Sequence, residues 1–254
     1  MLELKKVSRR FGGLQALSGV DLFVEEKRVT GLIGPNGAGK TTLINNISGL
    51  DHPNEGAIVF RGTDISKAPP HRITRLGIAR TYQNIRLFHE MTALQNLLVA
   101  QHGQGNASLL EAILLTSRYR REEKQLLDRA HELLERFGLG GVAHVQAGNL
   151  PYGDQRRLEM ARAMATNPRL VLLDEPTAGM NPAETLELGE QILRLRAEGM
   201  AVLVIEHDMS LIHQVCDIVY VLNFGQIIAF GTPAQIRENP IVIEAYLGRD
   251  EVEA

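Results

Sequence analysis

The chain has 254 residues, 44% of them hydrophobic, with 27 Lys and Arg against 30 Asp and Glu for a formal net charge of −3. That apolar content excludes a disordered chain, and the balanced charge excludes a dedicated nucleic-acid binder, which carries a strong basic excess. One cysteine, Cys216, excludes an internal disulfide or a multi-cysteine metal site. The opening MLELKKVSRR lacks the apolar run of a signal peptide, and the longest uncharged stretch, residues 218–236, is broken by Asn223, Gly225, Gln226, Gly231 and Pro233. We therefore expect a soluble protein of one large domain or two small ones from a reducing compartment, without a membrane span of its own.

Alternation predicts strands at residues 2–7 and 20–24, and a β-rich run at 29–33 is followed by Gly34. A helix follows from Gly39, with Leu43, Ile44 and Ile47 on one face. Residues 57–60 and 63–65 flank Arg61-Gly62 as a hairpin, and 78–82 read as a short strand. The texture then turns helical from Thr92 to Phe137. Thr92 and Gln95 form a capping box, and Leu126, Leu127, Ala130, Leu133, Leu134 and Phe137 recur at helical spacing, the mark of a stripe facing a core. Residues 102–108, rich in Gly, Gln and Asn, read as a loop. Beyond Leu150 helices (153–166, 183–198, 209–215) alternate with strands (170–173, 201–205, 218–222, 227–230), and Pro233 and Pro240 open two short helices. This order predicts an α/β domain with a largely parallel sheet covered on both faces.

Gly34-Pro35-Asn36-Gly37-Ala38-Gly39-Lys40-Thr41 fits G-x-x-x-x-G-K-[ST] between a predicted strand and a predicted helix. Glycines let the backbone wrap close to a phosphate with its N–H groups turned inward, and the helix N-terminus adds positive potential. Lys40 is placed for the β- and γ-phosphates of a nucleoside triphosphate and Thr41 for Mg²⁺, with Thr42 beside it. The run 170–173 delivers two carboxylates, Asp174 and Glu175, at a strand's C-terminal end, where open α/β sheets bind ligands. Asp174 is a candidate Mg²⁺ ligand and Glu175 a candidate for polarising the attacking water.

Between these motifs lies Leu150-Pro151-Tyr152-Gly153-Asp154-Gln155-Arg156-Arg157, which resembles the LSGGQ signature of ABC-type ATPases. Residues 176–181 resemble the D-loop, Gln83 the Q-loop glutamine, His207 the H-loop histidine, and Phe11 the A-loop aromatic that stacks on adenine. The resemblance covers nearly the whole chain in the family's order. It implies an ABC-type P-loop NTPase: a RecA-like parallel-sheet core with an N-terminal antiparallel β subdomain (residues 1–90 and 165–254) and a helical subdomain inserted at about 91–164. It further implies ATP and Mg²⁺ as cofactors. Gly34, Pro35, Asn36, Gly37, Ala38, Gly39, Lys40, Thr41 and Thr42 would hold ATP together with Phe11. Thr41, Gln83 and Asp174 would hold the metal. Glu175, His207 and Gln83 would serve hydrolysis, while Tyr152, Gly153 and Asp154 would face the ATP of a second subunit.

Arg86-Leu87-Phe88, Tyr152, Gly179-Met180-Asn181-Pro182 and the tail elements Gly231-Thr232-Pro233, Asn239-Pro240 and Ala245-Tyr246-Leu247-Gly248 narrow the resemblance. The chain is similar to the larger ATPase subunit of bacterial branched-chain amino acid importers. The expected partners are a second ATPase subunit, identical or distinct, two transmembrane permease subunits and, indirectly, a periplasmic solute-binding protein, with no nucleic acid. The expected location is the cytoplasmic face of the inner membrane. Amide or urea importers, lipopolysaccharide exporters and iron–sulfur assembly ATPases share much of the pattern. Pro151 replaces the signature serine, Asp154 its glutamine, and Asn181 the D-loop aspartate. From these we expect the two composite sites of a dimer to be unequal.

Overall fold

The computed structural model describes residues 1–102 and 116–247, so most of the expected 102–108 loop, and Gly248 of the tail, lie outside the described residues. The chain divides into two units, Met1–Ile73 with the part from Arg169 onward, and Thr74–Pro168.

The first unit holds two sheets. In one, β1 (Leu2–Phe11) pairs antiparallel with β2 (Leu14–Val24) and with β4 (Glu55–Phe60), and β5 (Thr63–Asp64) closes the predicted hairpin. Both β1 and β2 are longer than alternation predicts. The pairing shifts register between Leu4 and Val7 and again after Val7, and Lys6 sits in the left-handed region at φ 48°. Each shift flips the inward set of side chains, so the period-2 pattern breaks although the strand continues.

In the other sheet the strands of this unit run β10 (Gln226–Gly231), β9 (Ile218–Asn223), β3 (Val29–Ile33), β8 (Ala201–Ile205) and β7 (Leu170–Asp174). β3 pairs in parallel with β8 and β9, β7 in parallel with β8, and β10 adds an antiparallel edge. All residues of β3, β7 and β8 are buried, as strands covered on both faces require. Of the helices, α1 (Lys40–Ile47) follows β3, α6 (Pro182–Ala197) follows β7, and α7 (Met209–Val215) follows β8; α8 (Pro233–Arg237) and α9 (Pro240–Leu247) begin on the two prolines. α2 (Pro70–Leu76) is absent from the sequence reading because it buries only Ile73 and so shows no apolar stripe.

The second unit comprises β6 (Ile78–Arg80), α3 (Ala93–His102), α4 (Ser117–Arg136) and α5 (Tyr152–Ala165), with α3 packed on α4 and α5. The capping box forms: Thr92 N donates to Gln95 Oε1 at 2.9 Å and Gln95 N to Thr92 Oγ1 at 3.2 Å. On α4 the stripe buries Ala130, Leu133 and Leu134, while Leu127 faces outward. The unit starts at Thr74, earlier than the expected 91, because residues 82–86 are hydrogen-bonded to side chains of α5.

Cys216 ends α7 with its thiol packed in the sheet, where burial, and secondarily Asp217, push its pKa from 9.0 up to about 12. The thiolate is the reacting form, so a thousandfold deficit of it at pH 8 follows from a shift of that size, about 10³. Alkylation of the native chain at pH 8 should therefore be slower than that of the urea-unfolded chain by about that factor; labelling time courses followed by mass spectrometry measure it.

Candidate nucleotide site

The phosphate loop joins β3 to α1 and is braced from outside. A side chain at Gly34 (φ 153°) would place its Cβ 2.0 Å from the Leu222 carbonyl oxygen of β9, and one at Gly39 (φ 108°) would meet the Ala16 carbonyl oxygen at 2.7 Å. The turn between β9 and β10 completes the brace, with Gly225 N donating to Ala38 O at 2.8 Å and Ser18 N to Gly225 O at 2.8 Å. This brace is invisible in the sequence, because Leu222 and Gly225 carry no motif.

Gly39 caps α1 without a side chain, and no acidic residue stands in the first turn. The helix-end N–H groups are therefore left to whatever enters the loop. Lys40 is buried, its Nζ donating to the Gly34 carbonyl at 2.5 Å and the Pro35 carbonyl at 3.0 Å. A buried ammonium beside the uncapped N–H groups of a helix start is the set a phosphate chain requires, so the residues fit a nucleotide.

A cavity of about 360 Å³ opens over the loop, lined by residues 36–42 with Phe11, Gln15, Glu175 and Phe224 among others. Phe11 stands at the end of β1 with 46% of its surface exposed, and the Arg9 guanidinium lies 4.5 Å from its ring centre. An open aromatic face at the rim of a phosphate cavity is suited to a base. Gln15 and Phe224, absent from the sequence reading, share that rim.

β7 ends on Asp174, which is buried. Glu175 follows at φ 46°, a left-handed conformation unfavourable for a non-glycine residue, while its N–H donates to the Ile205 carbonyl at 2.9 Å. That sharp turn sends the Glu175 side chain into the cavity lining. His207, just past the end of β8, is exposed and does not line the cavity. The fold thus brings Phe11, Asn36, Gly37, Ala38, Gly39, Lys40, Thr41, Thr42 and Glu175 together, sets Gly34, Pro35 and Asp174 directly beside them in the chain, and places His207 at a neighbouring strand end.

Gln83, Tyr152, Gly153 and Asp154 belong to the second unit. Pro151 is the N-cap of α5 and supplies no side-chain cap, so the helix-end field acts without a hydroxyl. Asp154, in the first turn, is ion-paired with Arg157 and is not a bare carboxylate. Asn181 likewise has a local role: its Oδ1 accepts from Ala183 N at 2.9 Å and Glu184 N at 3.0 Å, and Glu184 Oε2 accepts from Asn181 N at 2.8 Å, a capping box for α6.

Within the second unit a buried ion pair holds the Gln83 segment. Arg156 Nη1 lies 3.0 Å from Glu159 Oε2, with both side chains almost fully buried. Arg156 donates to the Tyr82 carbonyl at 2.7 Å and the Gln83 carbonyl at 2.5 Å, and Glu159 Oε1 accepts from Tyr82 N at 3.2 Å and Arg86 N at 3.4 Å. Burial raises the Glu159 pKa, opposed by the Tyr82 N–H and by Arg156; burial lowers that of Arg162, opposed by Glu159. Sequence spacing shows an i,i+3 Arg–Glu pair on a helix, but not that its remaining valences point at a loop. Glu159→Ala should cost about 3–5 kcal/mol by leaving Arg156 buried without its carboxylate. The double variant Arg156→Met/Glu159→Leu should lose less than the sum of the single variants, as read from urea unfolding of the full chain.

Comparison with known proteins agrees with this geometry. Residues 17–178 match the family model for ABC transporter, and residues 226–252 that for branched-chain amino acid ATP-binding cassette transporter. The high-affinity branched-chain amino acid transport ATP-binding protein of Pseudomonas aeruginosa is 50% identical over 249 residues, 98% of each chain. Its counterpart from Escherichia coli K12 is 49% identical over the same length and coverage. Among solved structures, a nucleotide-free ATP-binding cassette from an ABC transporter is similar with a TM-score of 0.84 at 34% identity, covering 97% of this chain and 98% of that one. The ADP conformation of an ATP-binding cassette gives 0.85 at 34% identity, covering 98% and 99%. With a braced phosphate loop, an acidic strand end and end-to-end relatives of this kind, the chain belongs to the ABC transporter ATP-binding family.

Proposed function

We propose that this chain is the ATP-hydrolysing subunit of a membrane importer for branched-chain amino acids. The observation that carries the reading is identity of about half the residues across 98% of the chain to branched-chain amino acid transport ATP-binding proteins, joined to a match of residues 226–252 to that transporter's own C-terminal model. In this reading Phe11 stacks on adenine, and Lys40 and the loop N–H groups neutralise the β- and γ-phosphates. Thr41 and Asp174 would hold Mg²⁺, which would supply charge neutralisation at the transferred phosphoryl group. Glu175 orients the attacking water and takes its proton, and His207 holds the γ-phosphate side. Tyr152, Gly153 and Asp154 face the nucleotide of a second ATPase subunit, and two permease subunits hold the pair peripherally at the cytoplasmic membrane face. Among the described residues no helix is long and apolar enough to cross a membrane, so the transport path would lie in other chains.

Glu175→Gln should bind ATP with wild-type affinity while its hydrolysis falls by about 10²-fold or more, the size expected for loss of a general base. Equilibrium nucleotide binding and phosphate release measure the two. Lys40→Ala should instead lose ATP affinity, by isothermal titration. In vesicles carrying the assembled importer, leucine uptake should require ATP and disappear with Glu175→Gln; uptake of urea or an amide, and not of leucine, would reassign the solute without touching the ATPase reading.

A further inference from the structure

β8 and β7 end side by side, and the first residue past β8 is Glu206. Its side chain is fully buried. Each carboxylate oxygen is claimed by a different turn. Oε1 accepts from Thr177 N at 2.9 Å and from Thr177 Oγ1 at 2.6 Å, in the turn that follows Glu175. Oε2 accepts from His207 N at 3.0 Å and from Asp208 N at 3.3 Å, in the turn that carries the histidine. Four donors converge on one carboxylate, and an acceptor-only group satisfies all of them. Among the described residues its recorded ion-pair partner is His207, whose Nδ1 lies 3.6 Å from Oε2.

We propose that Glu206 is a positioning residue for hydrolysis: it ties the turn after Glu175 to the turn of His207 and keeps a proton on His207 Nδ1. The proposal rests on the assignment of Glu175 and His207 to the hydrolytic site. An Nδ1 lone pair facing a carboxylate oxygen is repelled, whereas an Nδ1–H is attracted, so the ring carries its hydrogen on the side of Glu206. Nε2 is then the atom left to face the nucleotide, as an acceptor in the neutral ring. Buried carboxylates that fix the tautomer of a working histidine act in this way on unrelated folds. Thr177, one hydrogen bond further on, makes the arrangement report on both turns at once: a shift at one strand end is felt at the other.

The test uses the full-length chain with ATP. Glu206→Gln keeps the side chain's size but turns an amide N–H₂ toward neighbours that all donate. We expect kcat to fall by about tenfold or more with KM for ATP changed by less than about threefold, since misplaced groups lose rate more than binding. ¹⁵N NMR of the histidine rings, with His207→Ala identifying the signal, should show the Nδ1–H tautomer in the wild type and its loss in Glu206→Gln. Wild-type kcat in a folded Glu206→Gln chain overturns the proposal. So does an Nε2–H tautomer in the wild type, a measurement that stands even where a variant fails to fold. His207→Ala and Glu175→Gln run in parallel separate the two levels. Wild-type turnover in both removes the hydrolytic site itself, whereas their loss beside an active Glu206→Gln removes only the role of Glu206.

Discussion

The parallel pairing of β3 with β8, and of β8 with β7, is the constraint on which the candidate site depends. Register Val29↔Val202 and Leu170↔Ala201 brings three strands to their C-terminal ends at one edge of the sheet. There the chain delivers the phosphate loop, Asp174 with Glu175, and Glu206 with His207, from segments far apart in the sequence. Hydrophobic burial of the strands on both faces holds that register, because every residue of the three is buried and a slip would expose or misplace whole rows of side chains. The polar groups of the candidate site thus sit on an apolar platform and need no strong interactions of their own to find one another.

On that platform, backbone conformations unfavourable elsewhere are used to aim groups. Gly34 and Gly39 let the loop pass against carbonyl oxygens of β9 and β2, and Glu175 accepts a left-handed backbone to turn its side chain toward the cavity. The β9–β10 turn adds hydrogen bonds from outside the motif, so the shape of the phosphate cradle is shared between the loop and a hairpin nearly two hundred residues later. In the second unit the comparable device is ionic. Arg156 and Glu159, buried together, also hydrogen-bond the backbone of Tyr82, Gln83 and Arg86. A buried pair of this kind contributes less to stability than to a unique geometry, which here is that of the Gln83 segment.

Departures from the family pattern acquire local meanings in the structure. Asn181 caps α6 with both halves of a capping box, Asp154 is paired with Arg157, and Pro151 stands at the N-cap of α5. Each is a residue whose first-neighbour chemistry is complete within its own helix.

Local patterns in the sequence were enough to determine the phosphate loop, the acidic strand end, the order of most strands and helices, and the starts of the capped and proline-opened helices, because each depends on residues within one turn or one strand of each other. Boundaries failed where local patterns break: β1 and β2 run through register shifts that flip their inward faces, and α2 buries a single side chain. Tertiary structure alone decided that Leu222 and Gly225 brace the phosphate loop, that Arg156 and Glu159 hold the Gln83 backbone, and that Glu206 joins Thr177 to His207. These depend on directions in space between segments distant in the chain, and no residue spacing encodes the direction in which a buried hydrogen bond points.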